Sequence, residues 1–247
     1  MSFLLVTMYH LSKIYGFVAL LFQVNHHILL ILLLQQFYSS IILLYIILYM
    51  NKNSESKIIN NSGKLIVSFG GCLQHFKDKQ TFEFYNFLNK NFPSYDKYFY
   101  IDIHFKWYHK GIDGISSNIY QTINYLKNII KNYKEVYFVG TSAGGYAAIL
   151  FGSILNINKV LAFIPQTIIE GDDLNPLYTN LNNVINKTTQ YYLYGDVNVL
   201  DKNDLHHIKH CYSIGHHKNV VLNIKKGLDM KEMRDSGELL EIFSGLL

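Results

Sequence analysis

The sequence has few charged residues and few cysteines for its length. Charged residues make up 16% of the 247 positions, below the ~25% that is usual in soluble domains. The net charge is +4, but lysine supplies all the basic side chains except Arg234, and no dense basic run occurs. The clustering typical of a nucleic-acid-binding surface is therefore missing. Two cysteines, Cys72 and Cys211, are too few for a disulfide-rich scaffold.

The apolar excess is concentrated in residues 1–50. Residues 28–50 carry no formal charge, and about 20 apolar residues are enough to cross the ~30 Å hydrocarbon core of a bilayer. We therefore predict a transmembrane helix over 28–50 and a membrane localisation. The anchor is either single-pass or, if the apolar run at 14–24 also inserts, an N-terminal hairpin. Lysines after the span favour the cytosolic side for the rest of the chain.

The remainder of the chain alternates between strand and helix patterns. Residues 51–62 are polar and without periodicity, which predicts a linker before a folded domain at 63–247. Strands are predicted at 64–69, 97–103, 136–139, 160–164, 190–194 and 220–224, and helices at 82–91, 117–133, 143–155 and 236–243. This alternation predicts an α/β fold: a mostly parallel central sheet with helices on both faces, preceded by the N-terminal hydrophobic helical segment.

The most informative segment is Gly-Thr-Ser-Ala-Gly at residues 140–144. It joins a predicted buried strand directly to an apolar helix, and Gly-x-Ser-x-Gly in that context is the pattern of a nucleophile elbow. Small flanking residues let a serine stand on a strained turn with its hydroxyl exposed. Ser142 is therefore the predicted nucleophile, and the N–H of Ala143, at the start of the helix, is a candidate donor to an oxyanion.

Several separated motifs together resemble the α/β-hydrolase superfamily. They are IVSFGG, WYHKGIDG, the elbow GTSAGGYAAILFG, VLAFIPQT and RDSGELLEI, in that order over residues 64–247. The chain is more narrowly similar to serine-hydrolase-like proteins found with bacterial surface-glycan genes. This resemblance implies a compact α/β-hydrolase fold and ester hydrolysis or acyl transfer on a glycan ester or other acylated small molecule. It also implies an oxyanion hole that pairs Ala143 with Gly71 or Cys72.

The resemblance also bears on the catalytic acid and base. An Asp-x-x-His motif begins a helix in the narrower family, and Asp204 with His207 fits that motif. We therefore predict a triad of Ser142, Asp204 and His207. Asp196, in a Gly-Asp-Val-Asn segment that follows the predicted strand 190–194, is the alternative acid.

The histidine is the weak point of this triad. The loop between the last predicted strand and the closing helix, where such a base belongs, reads Lys-Gly-Leu-Asp-Met at 226–230 and contains no histidine. His216 and His217 precede that strand and so lie at its wrong end. His75 and His109 follow strands and are further alternatives. If none acts as the base, the chain is a degenerate hydrolase that serves as a membrane-tethered binding or scaffold module.

Cofactor signatures are lacking. The segment at 140–145 does not end in Gly-Lys-Ser/Thr, no dinucleotide fingerprint occurs, and cysteines and histidines do not cluster with metal-ligand spacing. We predict no cofactor and no metal. The expected partners are a small-molecule or glycan ester substrate and the membrane, without nucleic acid, and the sequence leaves the oligomeric state open.

Overall fold

The computed structural model describes residues 13, 31–41, 54–72 and 81–247, and the chain divides into two units, Met1–Lys52 and Asn53–Leu247. In the first unit, residues 31–41 are helical. Within the described residues, no helix combines the length and the apolar character that a membrane span needs.

This finding contradicts the predicted membrane localisation and gives no support to the transmembrane helix predicted over 28–50. The prediction relied on an uninterrupted run of uncharged residues, of which the structure describes residues 31–41 as helical. Residues 28–30 and 42–50 lie outside the described part of the chain, as does the apolar run at 14–24 that the hairpin alternative used.

The second unit is built on one seven-stranded sheet. The strands are β1 (Glu55–Ile58), β2 (Lys64–Phe69), β3 (Asp96–Tyr100), β4 (Glu135–Thr141), β5 (Lys159–Phe163), β6 (Gln190–Asp196) and β7 (Val220–Lys225). Their order across the sheet is β1-β3-β2-β4-β5-β6-β7. Only the pair β1–β3 is antiparallel in this sheet, and every other neighbouring pair is parallel. The predicted α/β class with a mostly parallel sheet is therefore confirmed.

Six helices accompany these strands in the described part of the second unit. They are α1 (Tyr85–Asn91), α2 (Ile119–Ile130), α3 (Ala143–Leu155), α4 (Lys209–Ile214), α5 (Met230–Asp235) and α6 (Glu238–Leu246). Two short 3₁₀ helices lie at Pro176–Tyr178 and Leu181–Asn183. The helix predicted at 236–243 corresponds to α6, and α5 is a separate helix before it that was not predicted; Gly237, with a φ of 89°, lies between the two.

Two apolar clusters cover the two faces of the sheet. Side chains alternate along a strand, so Leu65 and Val67 of β2 belong to one cluster and Ile66 to the other. Residues of α2, α3 and α4 complete the first cluster, whereas residues of α1, α5 and α6 complete the second. Both faces of the sheet are thus covered by helices, as a parallel sheet requires.

Strand β1 falls within the segment predicted to be a linker. Residues 55–58 pair with β3 along its outer edge, and Glu55 Oε1 accepts hydrogen bonds from the hydroxyls of Tyr100 and Tyr125. These contacts involve partners 45 and 70 residues away. A local polar pattern carries no information about such pairing, which explains the difference from the predicted linker.

Candidate active site

The site lies at the carboxyl edge of four neighbouring parallel strands. Gly71 follows β2, Ser142 follows β4, Gln166 follows β5 and His206 follows β6. Because the carboxyl ends of parallel strands share one edge of a sheet, loops that are far apart in sequence meet there. Such an edge is where ligand sites form in open α/β sheets.

Ser142 stands on a sharp turn between β4 and α3. Its backbone has φ 58° and ψ −120°, a left-handed conformation that non-glycine residues adopt at an energetic cost. Glycines on both sides make the turn possible. A Cβ on Gly140 would lie 2.2 Å from the carbonyl oxygen of Gly144, and one on Gly144 would lie 2.0 Å from that of Phe69. The geometry is that of the nucleophile elbow expected from the motif.

His206 contacts the hydroxyl of Ser142. Its Nε2 lies 2.8 Å from Ser142 Oγ, within the distance that general-base catalysis requires. On the other side of the ring, Nδ1 lies 3.5 Å from Asp204 Oδ1. The same carboxylate oxygen accepts the backbone N–H of His206 at 2.7 Å. Serine, imidazole and carboxylate thus follow one another in the order that a catalytic triad needs.

The structure places His206 in contact with Ser142, where the motif predicted His207. His207, the residue chosen from the Asp-x-x-His motif, turns its Nδ1 to the backbone N–H of Lys209 at 3.0 Å, at the start of α4. The reason is the turn at Asp204. Its carboxylate accepts the backbone N–H of His206, and the side chain of His206 contacts Ser142. The motif thus lies at the turn that approaches Ser142, and of its two adjacent histidines the structure places His206 against the Ser142 hydroxyl.

The other histidine alternatives lie elsewhere. His216 and His217 precede β7, at the amino edge of the sheet, where their rings lie 4.3 Å apart and His217 Nε2 contacts Asn182 Oδ1 at 2.9 Å. Both are therefore at the edge opposite to Ser142. His75 lies outside the residues that the structure describes.

His109 is a buried structural residue. Its Nδ1 accepts the backbone N–H of Asn175 at 2.8 Å, which leaves the proton of the neutral ring on Nε2, 2.8 Å from the hydroxyl of Tyr146. Burial, together with the charge of Lys110, lowers the pKa of His109 to about 4. The ring is therefore neutral at physiological pH and serves to join two segments of the fold.

Both carboxylate oxygens of Asp196, the alternative acid, accept hydrogen bonds from backbone N–H groups. Its Oδ1 accepts from Asn198 at 2.8 Å and from Gly227 at 2.9 Å, and its Oδ2 accepts from Leu228 at 2.8 Å. Burial favours a higher pKa, but the three donors outweigh it and lower the pKa of Asp196. This carboxylate ties β6 to the loop at 226–230, where the hydrolase resemblance leads one to expect the base.

Two of the predicted oxyanion-hole residues, Ala143 and Gly71, lie beside Ser142. The N–H of Ala143 belongs to the first turn of α3, where backbone donors have no partner within the helix. Gly71 approaches so closely that a Cβ there would be 3.0 Å from the carbonyl oxygen of Thr141 and 3.6 Å from Ser142 Cβ. Cys72 follows in the chain, and burial, with a contribution from Asp102, raises the pKa of its thiol to about 11. The thiol is therefore protonated at neutral pH and a poor nucleophile.

Gln166 is a site residue that the sequence analysis did not single out. Its Nε2 donates to Ser142 Oγ at 2.9 Å and lies 3.3 Å from His206 Nε2. Its Oε1 accepts from the indole Nε1–H of Trp107. The one signal in the sequence was position, because Gln166 comes three residues after the end of β5 within the VLAFIPQT motif.

Sequence comparisons give no relatives for this chain. No family model matches it, and no curated protein matches it.

Comparison with solved structures gives clear fold neighbours. One is the capsule O-acetyltransferase of Neisseria meningitidis serogroup A, with 15% identity over 76% of this chain and 88% of that one and a TM-score of 0.53. Another is an esterase of Pyrococcus furiosus, with 17% identity over 77% and 82% and a TM-score of 0.50. The chain has an α/β-hydrolase-like fold. The resemblance drawn from the motifs is confirmed at this level, since identities this low establish the fold alone.

The capsule O-acetyltransferase has also been solved as a histidine-to-alanine variant in complex with CoA. That structure shares 14% identity with this chain over 76% of this chain and 89% of the other, with a TM-score of 0.53. The α/β-hydrolase-like fold is therefore common to an esterase and to an acyl-transferring enzyme.

Proposed function

We propose that this protein is a serine enzyme that cleaves or transfers acyl esters, with Ser142 as the nucleophile and His206 as the general base. The observation that carries the proposal is the 2.8 Å contact between Ser142 Oγ and His206 Nε2 on an elbow whose glycines permit no side chain. Asp204, 3.5 Å from His206 Nδ1, orients the imidazole and stabilises its protonated form.

The reaction proceeds in two steps. As Ser142 Oγ bonds to the ester carbonyl carbon, its proton passes to His206 Nε2, and the carbonyl oxygen becomes an oxyanion held by the Ala143 N–H and by the backbone at Gly71 or Cys72. The oxyanion collapses, the ester C–O bond breaks, and the leaving alcohol takes the proton from His206. A second hydroxyl, from water or from an acceptor alcohol, then attacks the acyl-serine with His206 again as the base.

Water and an acceptor alcohol give the two forms of the proposed activity, hydrolysis and acyl transfer. The substrate class that we propose is a glycan ester or another acylated small molecule. It is supported by the motif resemblance to surface-glycan-associated proteins and by a fold shared with a capsule O-acetyltransferase and an esterase. A thioester donor is compatible with the same chemistry, because the neighbour solved with CoA shares this fold.

Fluorophosphonate labelling of the full chain tests the proposal, because this probe reacts with activated serines. We expect the wild type to be labelled and Ser142→Ala to be unlabelled. Ser244→Ala, which alters an exposed serine on α6, is the matched control and should be labelled like the wild type.

Absence of labelling in a folded wild-type sample would overturn the proposal and favour a degenerate hydrolase that acts as a binding module. If labelling occurs, turnover of short-chain aryl esters with and without a sugar acceptor separates hydrolysis from transfer. Formation of an acylated sugar at the expense of the free acid identifies a transferase.

A further inference from the structure

A line of hydrogen bonds leads from Trp107 to the nucleophile. The indole Nε1–H donates to Gln166 Oε1, and Gln166 Nε2 donates to Ser142 Oγ at 2.9 Å. Gln166 is only 4% exposed, so its amide has little access to water. Each of these side chains comes from a different loop, and they meet at the oxygen that is to attack the substrate.

Trp107 at one end and His206 at the other determine which group donates and which accepts in each of these hydrogen bonds. An indole N–H can only donate, so Gln166 must present Oε1 to Trp107 and its NH₂ group to Ser142. Ser142 Oγ then accepts from Gln166 and has His206 Nε2 as the acceptor for its own proton. Gln166 Nε2, which also only donates, lies 3.3 Å from His206 Nε2. Both neighbours therefore require His206 Nε2 without a proton and place the ring proton on Nδ1, beside Asp204.

Trp107 is held in place by a strained loop. Asp102 accepts the backbone N–H groups of His104 at 3.0 Å, of Lys106 at 2.8 Å and of Tyr108 at 2.8 Å. Trp107 and Tyr108 have φ values of 50° and 61°, a conformation that is costly for aromatic residues. Strain of this kind is retained where the surrounding contacts impose it, and it is concentrated at functional sites.

We propose that Gln166 is a further catalytic residue, which holds the Ser142 hydroxyl with its proton directed at His206, and that Trp107 is the positioning residue that orients the Gln166 amide. The inference rests on the proposed function of Ser142 and His206. A rotated amide would present Oε1 to Ser142 and compete with His206 for the serine proton. The indole N–H prevents this rotation, since the amide NH₂ group would then face another donor.

The sharpest test is Gln166→Glu, which keeps the shape of the side chain and replaces the donor with acceptors only. We expect its rate of fluorophosphonate labelling to fall by on the order of 10²-fold, the loss that misplacement of a reacting group brings. The pH at which labelling is half-maximal should rise, because a carboxylate next to His206, in addition to Asp204, favours the protonated ring. Gln166→Met, which removes the donor without adding charge, should slow labelling and leave this pH unchanged.

Trp107→Phe and Gln121→Glu complete the set. Trp107→Phe keeps an aromatic ring and removes the N–H, so labelling should slow less than in Gln166→Glu. Gln121→Glu makes the same charge change at an exposed glutamine whose Oε1 accepts from Ser117, and it should be labelled like the wild type. Thermal melting of each variant verifies that it is folded, and Gln166→Met decides the question if Gln166→Glu does not fold.

The outcomes distinguish the two proposals. If the wild type is labelled and both folded Gln166 variants are labelled at the same rate and with the same pH dependence, the role of Gln166 is refuted and that of Ser142 stands. If the wild type itself is not labelled, the proposed function fails and the inference fails with it.

Discussion

Replacement of Asp196 by asparagine tests whether the role of this carboxylate is structural or catalytic. Asp196 accepts three backbone N–H groups, from Asn198, Gly227 and Leu228. Asparagine has one acceptor oxygen, so at least one of these donors loses its acceptor, and a hydrogen bond to a charged group contributes about 1.5–3 kcal/mol. We therefore expect Asp196→Asn to lower stability by about 2 kcal/mol and to leave fluorophosphonate labelling of the folded protein unchanged.

Thermal unfolding followed by circular dichroism measures the first effect. In a domain of this size, each kcal/mol shifts the melting temperature by about 2–4 °C, so ~2 kcal/mol corresponds to a decrease of roughly 4–8 °C. Asp229→Asn is the control, because this exposed carboxylate caps α5 through two backbone N–H groups and asparagine caps helices about as well. Its melting temperature should stay close to that of the wild type.

The pH dependence of this difference follows from the lowered pKa of Asp196. A carboxylate with a lowered pKa in the folded state stabilises the protein above its unfolded pKa of ~3.9, and this stabilisation is lost as the pH falls through the folded value. The difference in the free energy of unfolding between the wild type and Asp196→Asn should therefore have its full value at pH 6 and decrease below about pH 4. A variant that melts like the wild type but loses labelling would refute the reasoning, since Asp196 would then serve the histidine.

Two further predictions concern the elbow and the loop beside it. Gly144→Ala should abolish labelling and lower the melting temperature, because its Cβ would lie 2.0 Å from the carbonyl oxygen of Phe69, whereas Gly245→Ala, with no atom within 4 Å of the added Cβ, should do neither in the same two assays. Cys72→Ser should keep full labelling. The thiol of Cys72, with a pKa of about 11, should react slowly with iodoacetamide at pH 7.5, and rapid alkylation there would contradict a protonated thiol.

The fold could be predicted where the sequence pattern is local and strong. The bounds of β2 and α3 match those expected from the apolar runs at 64–69 and 143–155. Their burial is nearly complete, so almost every position in these elements is apolar or small. Strand β1 could not be predicted in this way, because its pairing with β3 depends on the sheet and not on its own four residues.

The site could be predicted only in part, for a related reason. Ser142 could be picked out because the elbow is a contiguous motif whose glycines are required by contacts within a few residues or with the next strand. The choice between His206 and His207 depends on one turn at Asp204, and adjacent histidines have the same local composition. Gln166 reaches Ser142 from a separate loop across 24 residues, and no local pattern marks such a contact.

The most direct test of the account compares His206→Ala with His207→Ala in fluorophosphonate labelling of the full chain. The two variants remove the same side chain from adjacent positions: His206 contacts Ser142, whereas His207 accepts the backbone N–H of Lys209. We predict that labelling slows by about 10²- to 10⁴-fold in His206→Ala, the contribution of a general base, and stays within a few-fold of the wild type in His207→Ala. Equal labelling of His206→Ala and the wild type, or a comparable loss in His207→Ala, would contradict the assignment of His206 as the base of Ser142.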